Sequence, residues 1–181
     1  NNHIQPGTYT LMMLVGAELG RDEAIKKYGM KGMWRILPKQ FGEYNGKKVV
    51  EIEQCCVETN TMNFEDYLEC RNFSFVLRLI SSQAFLPIYK LCKQLEISWF
   101  QIAFKLYQLL KDKNTDSKLK EIFDGFSQES NKELFKTKEE AIHFYTQPKN
   151  YEKLINGEIG DNLLGKYSAI GLLNIKDVIS S

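Results

Sequence analysis

A short polar loop follows the most apolar strand-like segment of the sequence. Thr8–Val15 is a predominantly apolar run of strand length, and Gly16, Glu18 and Arg21 come directly after it. In barrels and open α/β sheets, ligands bind at the carboxyl ends of strands. Glu18 and Arg21 would therefore face a ligand, and Gly16 would let the backbone approach it closely. The alternative is a plain strand-to-helix turn with a solvated glutamate, and the residues alone leave both interpretations open.

The cysteines are the other residues that could carry chemistry. They are Cys55, Cys56, Cys70 and Cys92. No two of them have CxxC spacing, so neither a zinc site nor a disulfide framework is indicated in a chain of this length. We expect free, mostly buried thiols in a reducing cytoplasm, and no metal site.

The sequence contains no complete catalytic motif. There is no P-loop, GxGxxG, nucleophile elbow or HExxH, and His3 and His143 lie far apart with no metal-ligand pattern around them. The 24 basic and 23 acidic residues give a formal charge of +1, which does not favour a nucleic-acid partner. No apolar run approaches the roughly 18 residues of a membrane span. The composition predicts a cytoplasmic chain with no catalytic centre of its own.

The secondary structure that must position these residues is predicted to change near residue 62, from mostly strands to helices. Before it, the patterns predict the helix Arg21–Tyr28, closed by Gly29, and two strands, Trp34–Leu37 and Val49–Thr59, joined across the Asn45-Gly46 turn. The apolar run at residues 8–15 predicts a further strand, buried on both faces. A single buried strand cannot stand alone, because its backbone groups and both faces need partners. We therefore expect its sheet neighbours to lie upstream in a longer protein.

From Asn63 onward the patterns predict only helices. Asn63 is a good N-cap, and Thr137 with Glu140 has the spacing of a capping box. After the helix that Asn63 begins, the predicted helices are Pro87–Leu95, Trp99–Leu110, Ser117–Phe126, Lys138–Tyr145, Tyr151–Ile155 and Asn162–Ile179. The residues expected in their core are Phe64, Leu68, Phe75, Leu79, Trp99, Ile102, Phe104 and Leu106. The predicted fold class is α+β, mostly α: a small strand-containing start followed by a helical bundle.

Eight blocks of the sequence are informative when they are taken in order: Thr10–Gly20, Lys27–Met30, Trp34–Pro38, Phe41–Tyr44, Val50–Glu53, Val57–Met62, Phe64–Arg71 and Tyr151–Tyr167. As an ordered set they resemble the carboxy-terminal region of radical S-adenosylmethionine enzymes of the cobalamin-binding subgroup. The resemblance implies a parent protein with a cobalamin-binding domain, a partial α/β barrel and this region. It divides the chain into residues 1–20, the last part of the barrel; 21–62, a connecting region; and 63–181, a helical domain.

In that family the iron–sulfur cluster is held by a CxxxCxxC loop, which this sequence lacks. The resemblance therefore implies no catalytic residue and no cofactor here, while the parent would use the cluster, S-adenosylmethionine and, in this subgroup, cobalamin. The implied role is to cover or complete the barrel and help bind an unknown substrate, with the upstream barrel as partner. The alternatives are a helical interaction or substrate-recruiting module outside catalysis, and an independent helical protein. An exposed apolar sheet edge at residues 8–15 would favour the first interpretation, and a fully covered strand the last.

Overall fold

The computed structural model describes residues 7–174 and 176. Within them the chain forms eight α-helices, one antiparallel pair of strands and two single turns of 3-10 helix, so the predicted α+β, mostly α class is confirmed. The helices and strands are α1 (Asp22–Tyr28), β1 (Lys31–Tyr44), β2 (Lys47–Glu58), α2 (Phe64–Ile80), α3 (Leu86–Gln94), α4 (Trp99–Lys111), α5 (Lys118–Lys132), α6 (Lys138–Thr146), α7 (Pro148–Ile155) and α8 (Leu163–Leu173).

Local sequence signals place most of the boundaries. Asn63 accepts a hydrogen bond from the backbone N–H of Asp66 at 2.9 Å, as an N-cap does. Thr137 and Glu140 form the predicted capping box at the start of α6. The predicted end of the last helix, Ile179, lies outside the described residues.

The strands β1 and β2 form a hairpin whose turn was predicted correctly. Asn45 and Gly46 have φ values of 51° and 74°, which suit the two-residue turns that match the twist of paired strands. The predicted end of the first strand at Leu37, directly before Pro38, is wrong, because β1 continues to Tyr44. The pairing register shifts between Ile36 and Phe41, and a proline without a backbone donor is tolerated at such an irregularity.

The chain divides into two compact units, each assembled from separate segments of the sequence. The hairpin unit comprises Tyr9–Leu68 and Ser130–Asn162, and the helical unit comprises Glu69–Glu129 with the described residues before Tyr9 and after Asn162. Helices α6 and α7 therefore belong with the hairpin, although they follow it by about 80 residues in the chain. The composition along the sequence could not predict that α6 and α7 join the hairpin unit, because the units are defined by contacts between segments that lie far apart in the sequence.

The helical unit has a core rich in aromatic side chains. The rings of Phe75 and Phe126 stack with centroids 4.9 Å apart, and Tyr167 packs edge-on against both. The predictions for Phe75 and Leu79 are confirmed, since neither is more than 1% exposed. Phe104 was predicted wrongly, because its side chain is 45% exposed. The other predicted core residues, which are half-buried, are Phe64 and Leu68 of the hairpin unit and Trp99, Ile102 and Leu106.

The hairpin unit has two small apolar clusters and a charged group beside the hairpin. One cluster centres on Cys55 and Val57 and the other on Ile36 and Val50, each with side chains from the later helical segments. Nε of Arg35 donates to a carboxylate oxygen of Glu53 at 2.6 Å, and Nη1 of Arg35 lies 3.5 Å from Glu133. The backbone of Trp34 exchanges two hydrogen bonds of 2.8 Å with Phe135. These contacts attach the later segment to the outer edge of β1.

The prediction that residues 8–15 form a strand buried on both faces is wrong. Only its middle pairs with β2: Met13 N–H donates to Gln54 at 2.9 Å and Cys56 N–H donates to Leu11 at 2.8 Å, forming one isolated bridge at Met12. The large side chains around the bridge are exposed, namely Tyr9 (94%), Leu11 (40%), Leu14 (58%) and Val15 (103%). An apolar run becomes a buried strand only when other elements cover both of its faces. The described residues supply one neighbour, β2, on one edge.

Candidate functional site

The predicted site loop after residue 15 folds back on itself in a tight turn. Ala17 N–H donates to the carbonyl oxygen of Leu14 at 3.1 Å, and Gly20 N–H donates to Ala17 at 3.0 Å. A Cβ on Gly20 would lie only 2.1 Å from the Leu14 oxygen, and Gly16 has a φ of +87°. Both glycines are therefore required by the backbone of the loop.

Helix α1 follows this loop in the chain, and Asn60 holds the carboxyl end of the helix in place. The helix ends at Gly29, whose φ of 58° is the left-handed conformation of a helix C-terminus. Asn60, just beyond β2, donates from its backbone to the carbonyl of Tyr28 at 2.8 Å and from its side chain to that of Lys27 at 3.0 Å. A Cβ on Gly29 would collide with Asn60, 2.0 Å from Oδ1. The end of β2 thus positions the carboxyl end of α1.

The structure brings two of the three predicted site residues together. Glu18 and Arg21 line the same depression, which has a volume of about 340 Å³ and also contains Glu23, Lys27 and Tyr28. Both side chains are exposed. The lining combines two carboxylates with two cations, so the depression can bind polar or charged groups of either sign.

Gly16 does not join this site. It is not among the lining residues, and a Cβ built on it would meet no atom within 4 Å. Its role in the structure is to adopt the positive φ that the turn requires.

A second depression adjoins the first, and sequence reasoning did not assign its residues. It has a volume of about 430 Å³ and shares Leu19 and Tyr28 with the first. Its remaining lining residues are Met30, Thr59, Asn60 and Thr61. The sequence did contain a signal for this depression, because the polar residues 59–61 come directly after an apolar strand. The loop after residue 15 was selected for the same reason.

The cysteines do not form a site for an iron–sulfur cluster. Cys55, Cys56 and Cys92 are buried and Cys70 is exposed, and all four are free thiols. The prediction of mostly buried free thiols is therefore confirmed. Burial raises the pKa of the Cys56 thiol, against a smaller lowering by its hydrogen bond to the Glu58 carbonyl, which opposes the thiolate that iron requires.

The other residue types that commonly bind metals do not form a cluster either in the described part of the chain. Among residues 7–174 and 176, no three His, Cys, Asp or Glu side chains are grouped so that they could hold a metal ion. His143 is exposed on α6, and His3 lies outside the described residues.

Comparison with known proteins adds no relative. No protein-family model matches the chain, and no curated protein matches it in sequence. No single helix of the described part is long and apolar enough to cross a membrane.

Proposed function

We propose that this chain is the carboxy-terminal region of a radical S-adenosylmethionine enzyme of the cobalamin-binding subgroup. In this proposal it holds no cluster, completes or covers the barrel, and helps to bind the substrate. The observation that carries the proposal is the open apolar sheet edge at residues 8–15, together with the ordered resemblance in sequence.

The pattern of hydrogen bonds supports an open edge at Met12. In an antiparallel bridge of this kind, the flanking residues Leu11 and Met13 bond to β2, so the N–H and C=O of Met12 point away from it. Neither group has a hydrogen-bond partner among the described residues. An unpaired edge flanked by exposed Leu14 and Val15 is a ready template for another strand. A preceding barrel strand of the same protein is the occupant we propose.

The position of the charged depression supports a role in substrate binding. Glu18 and Arg21 follow this edge segment directly, and both line the depression. If residues 8–15 form a late barrel strand, this loop lies at the carboxyl end of that strand, where barrel enzymes bind their substrates. Such residues would orient a polar substrate through charge-assisted hydrogen bonds.

The second candidate function is a helical interaction module without a part in catalysis. The exposed apolar side chains of α3 and α4, in the helical unit, favour it. Under this interpretation the depression beside Glu18 is a feature of the surface, and changes there leave the reaction of the whole protein unaffected.

The test is an assay of the intact gene product, prepared anaerobically with iron, sulfide and cobalamin. We expect a CxxxCxxC segment upstream and the formation of 5′-deoxyadenosine from S-adenosylmethionine. Glu18→Gln and Arg21→Gln should raise KM for the substrate, while Glu43→Gln, an exposed change near the hairpin turn, should not. Absence of deoxyadenosine with a loaded cluster would refute the family assignment. Unchanged kinetics in both site variants would favour the interaction module.

A further inference from the structure

The two adjoining depressions of the hairpin unit differ in the chemistry of their walls. The first, of about 340 Å³, has four charged side chains in its wall: Glu18, Arg21, Glu23 and Lys27. The second, of about 430 Å³, has three large apolar side chains in its wall: Leu19, Tyr28 and Met30. Because Leu19 and Tyr28 line both, the charged and the apolar walls are continuous. Each volume lies in the range of small-molecule sites, roughly 300–1,000 Å³.

The charged side chains of the first depression do not neutralise one another. Two are carboxylates and two are cations, so their charges sum to zero. All four line one depression, yet none of them forms an ion pair within the described part of the chain. Nζ of Lys27 lies instead over the ring of Tyr28, 5.1 Å from its centroid. Both signs of charge are therefore available to a ligand.

The apolar wall beside these charges is open and held in position. Leu19 and Tyr28 are 40% and 43% exposed, so an apolar group placed against them would remove hydrophobic surface from water. The flat ring of Tyr28 suits an aliphatic or aromatic group. Asn60 bonds to the carbonyls of Lys27 and Tyr28, which fixes the backbone of the wall before a ligand arrives. Less ordering is then needed on binding.

The balance of charges selects the kind of ligand. Glu18 and Glu23 would repel a polyanion, and Arg21 and Lys27 would repel a polycation. A purely apolar ligand would cover the charged wall without giving it partners, which is unfavourable. A small zwitterion with an apolar group beside its two charges matches both walls at once.

We propose that the two depressions together bind a free α-amino acid with a large apolar side chain. Its carboxylate pairs with Arg21 and Lys27, and its ammonium group pairs with Glu18 and Glu23, through charge-assisted hydrogen bonds. Its side chain packs on the apolar wall of the second depression. The binding follows from the two depressions alone, whereas the identification of this amino acid as the substrate rests on the function proposed above.

The first test is a titration of the isotope-labelled chain, followed by the amide NMR signals of Leu19, Tyr28 and Thr61. L-phenylalanine should shift these signals with a Kd on the order of 1 mM, as suits a small ligand. Three analogues each lack one feature: phenylalaninamide the carboxylate, N-acetylphenylalanine the ammonium group, and glycine the side chain. At about pH 6, where the free amino groups are protonated, each analogue should bind about tenfold more weakly.

The second test assigns each charge of the ligand to its partners. Arg21→Gln/Lys27→Gln should weaken the binding of phenylalanine and N-acetylphenylalanine about tenfold and should not weaken that of phenylalaninamide, which has no carboxylate. Glu18→Gln/Glu23→Gln should weaken phenylalanine and phenylalaninamide and should not weaken N-acetylphenylalanine. These side chains are exposed or line an open depression, so circular dichroism should show both variants folded.

The control Lys47→Gln/Lys149→Gln removes two charges from exposed positions of the same unit that line neither depression, and it should leave all affinities unchanged. The proposal is overturned if phenylalanine causes no shift, if the analogues bind as well as phenylalanine, or if a charge variant weakens every ligand equally. Formation of 5′-deoxyadenosine by the intact gene product without phenylalanine binding would overturn this inference alone. Binding without deoxyadenosine would support it and count against the enzymatic role.

Discussion

Two buried tyrosines show how single residues respond to their surroundings. Burial raises the pKa of Tyr145, and the neighbouring Glu133 raises it further, against a lowering by Arg35. Burial likewise raises the pKa of Tyr167, whose hydroxyl donates to Oε1 of Glu129 at 2.7 Å. Both phenols therefore stay protonated in the folded chain at pH values where an unfolded chain loses the proton.

Stability should consequently fall as the solution becomes alkaline. Above the ordinary tyrosine pKa of 10.0, the unfolded state binds fewer protons than the folded state, so the free energy of unfolding decreases by about 1.4 kcal/mol per pH unit for each such phenol. Urea unfolding from about pH 8 to about pH 11 measures this slope. Tyr145→Phe should reduce it, and Tyr9→Phe, at a position 94% exposed, should not. An identical slope in all three proteins would contradict the assignment.

At the scale of elements, α4 shows how one helix divides between a core side and an outer side. Leu110 is 1% exposed, whereas its neighbour Leu109 is 52% exposed. The two side chains differ by one position along the helix, so about 100° of rotation separates the core from the surface. The expectation that Phe104 belongs to the core was wrong for the same reason.

This division predicts very different costs for two neighbouring substitutions. Leu110→Ala should lower the free energy of unfolding by about 2–5 kcal/mol, because it leaves a cavity in a packed core. Leu109→Ala should cost less than about 1 kcal/mol, because its side chain is already half in solvent. Chemical denaturation of both variants provides the comparison, and equal costs would show that the helix is rotated from its described orientation.

The attachment of α1 to the end of β2 predicts a local effect. Asn60→Ala removes the amide that donates to the Lys27 carbonyl and should cost about 1 kcal/mol. Asn60→Asp keeps the shape of the side chain but has no amide donor, so we expect it to lower the stability by a similar amount. Hydrogen exchange of the α1 amides should accelerate in both variants. Unchanged exchange would show that α1 is held by other contacts.

At the scale of the whole molecule, the four thiols are dispersed over the fold. Cys55 and Cys56 are neighbours on β2 in the hairpin unit, while Cys70 and Cys92 belong to the helical unit. Successive side chains of a strand point to opposite faces, so Cys55 and Cys56 cannot both be directed at one cluster without distorting the strand. A cubane cluster needs closely spaced thiolates.

We therefore expect the chain on its own to bind no stoichiometric iron and to leave S-adenosylmethionine intact. Anaerobic reconstitution with iron and sulfide, metal analysis and an assay for deoxyadenosine measure both quantities. The variant Cys55→Ser/Cys56→Ser should match the wild-type background. Stoichiometric iron with cofactor cleavage would make these cysteines a cluster site and would refute the role proposed above.

The sequence by itself determined the features that arise from neighbouring residues. The Asn45-Gly46 turn, the left-handed end of α1 at Gly29 and the caps at Asn63 and Thr137 were all predicted correctly. Each depends on backbone conformation and on hydrogen bonds that span a few positions. The loop carrying Glu18 and Arg21 was also selected from its place after an apolar run, and the two side chains do share a depression.

Only the tertiary structure decided which apolar residues are covered and which segments meet. The run at residues 8–15 has the composition of a buried strand, yet its side chains are largely exposed, because burial requires neighbours on both faces and β2 supplies one edge. The role of Asn60, the grouping of α6 and α7 with the hairpin, and the exposure of Phe104 depend on contacts between residues distant in sequence. Local spacing carries no information about such contacts, since many arrangements of the same helices and strands satisfy the same local preferences.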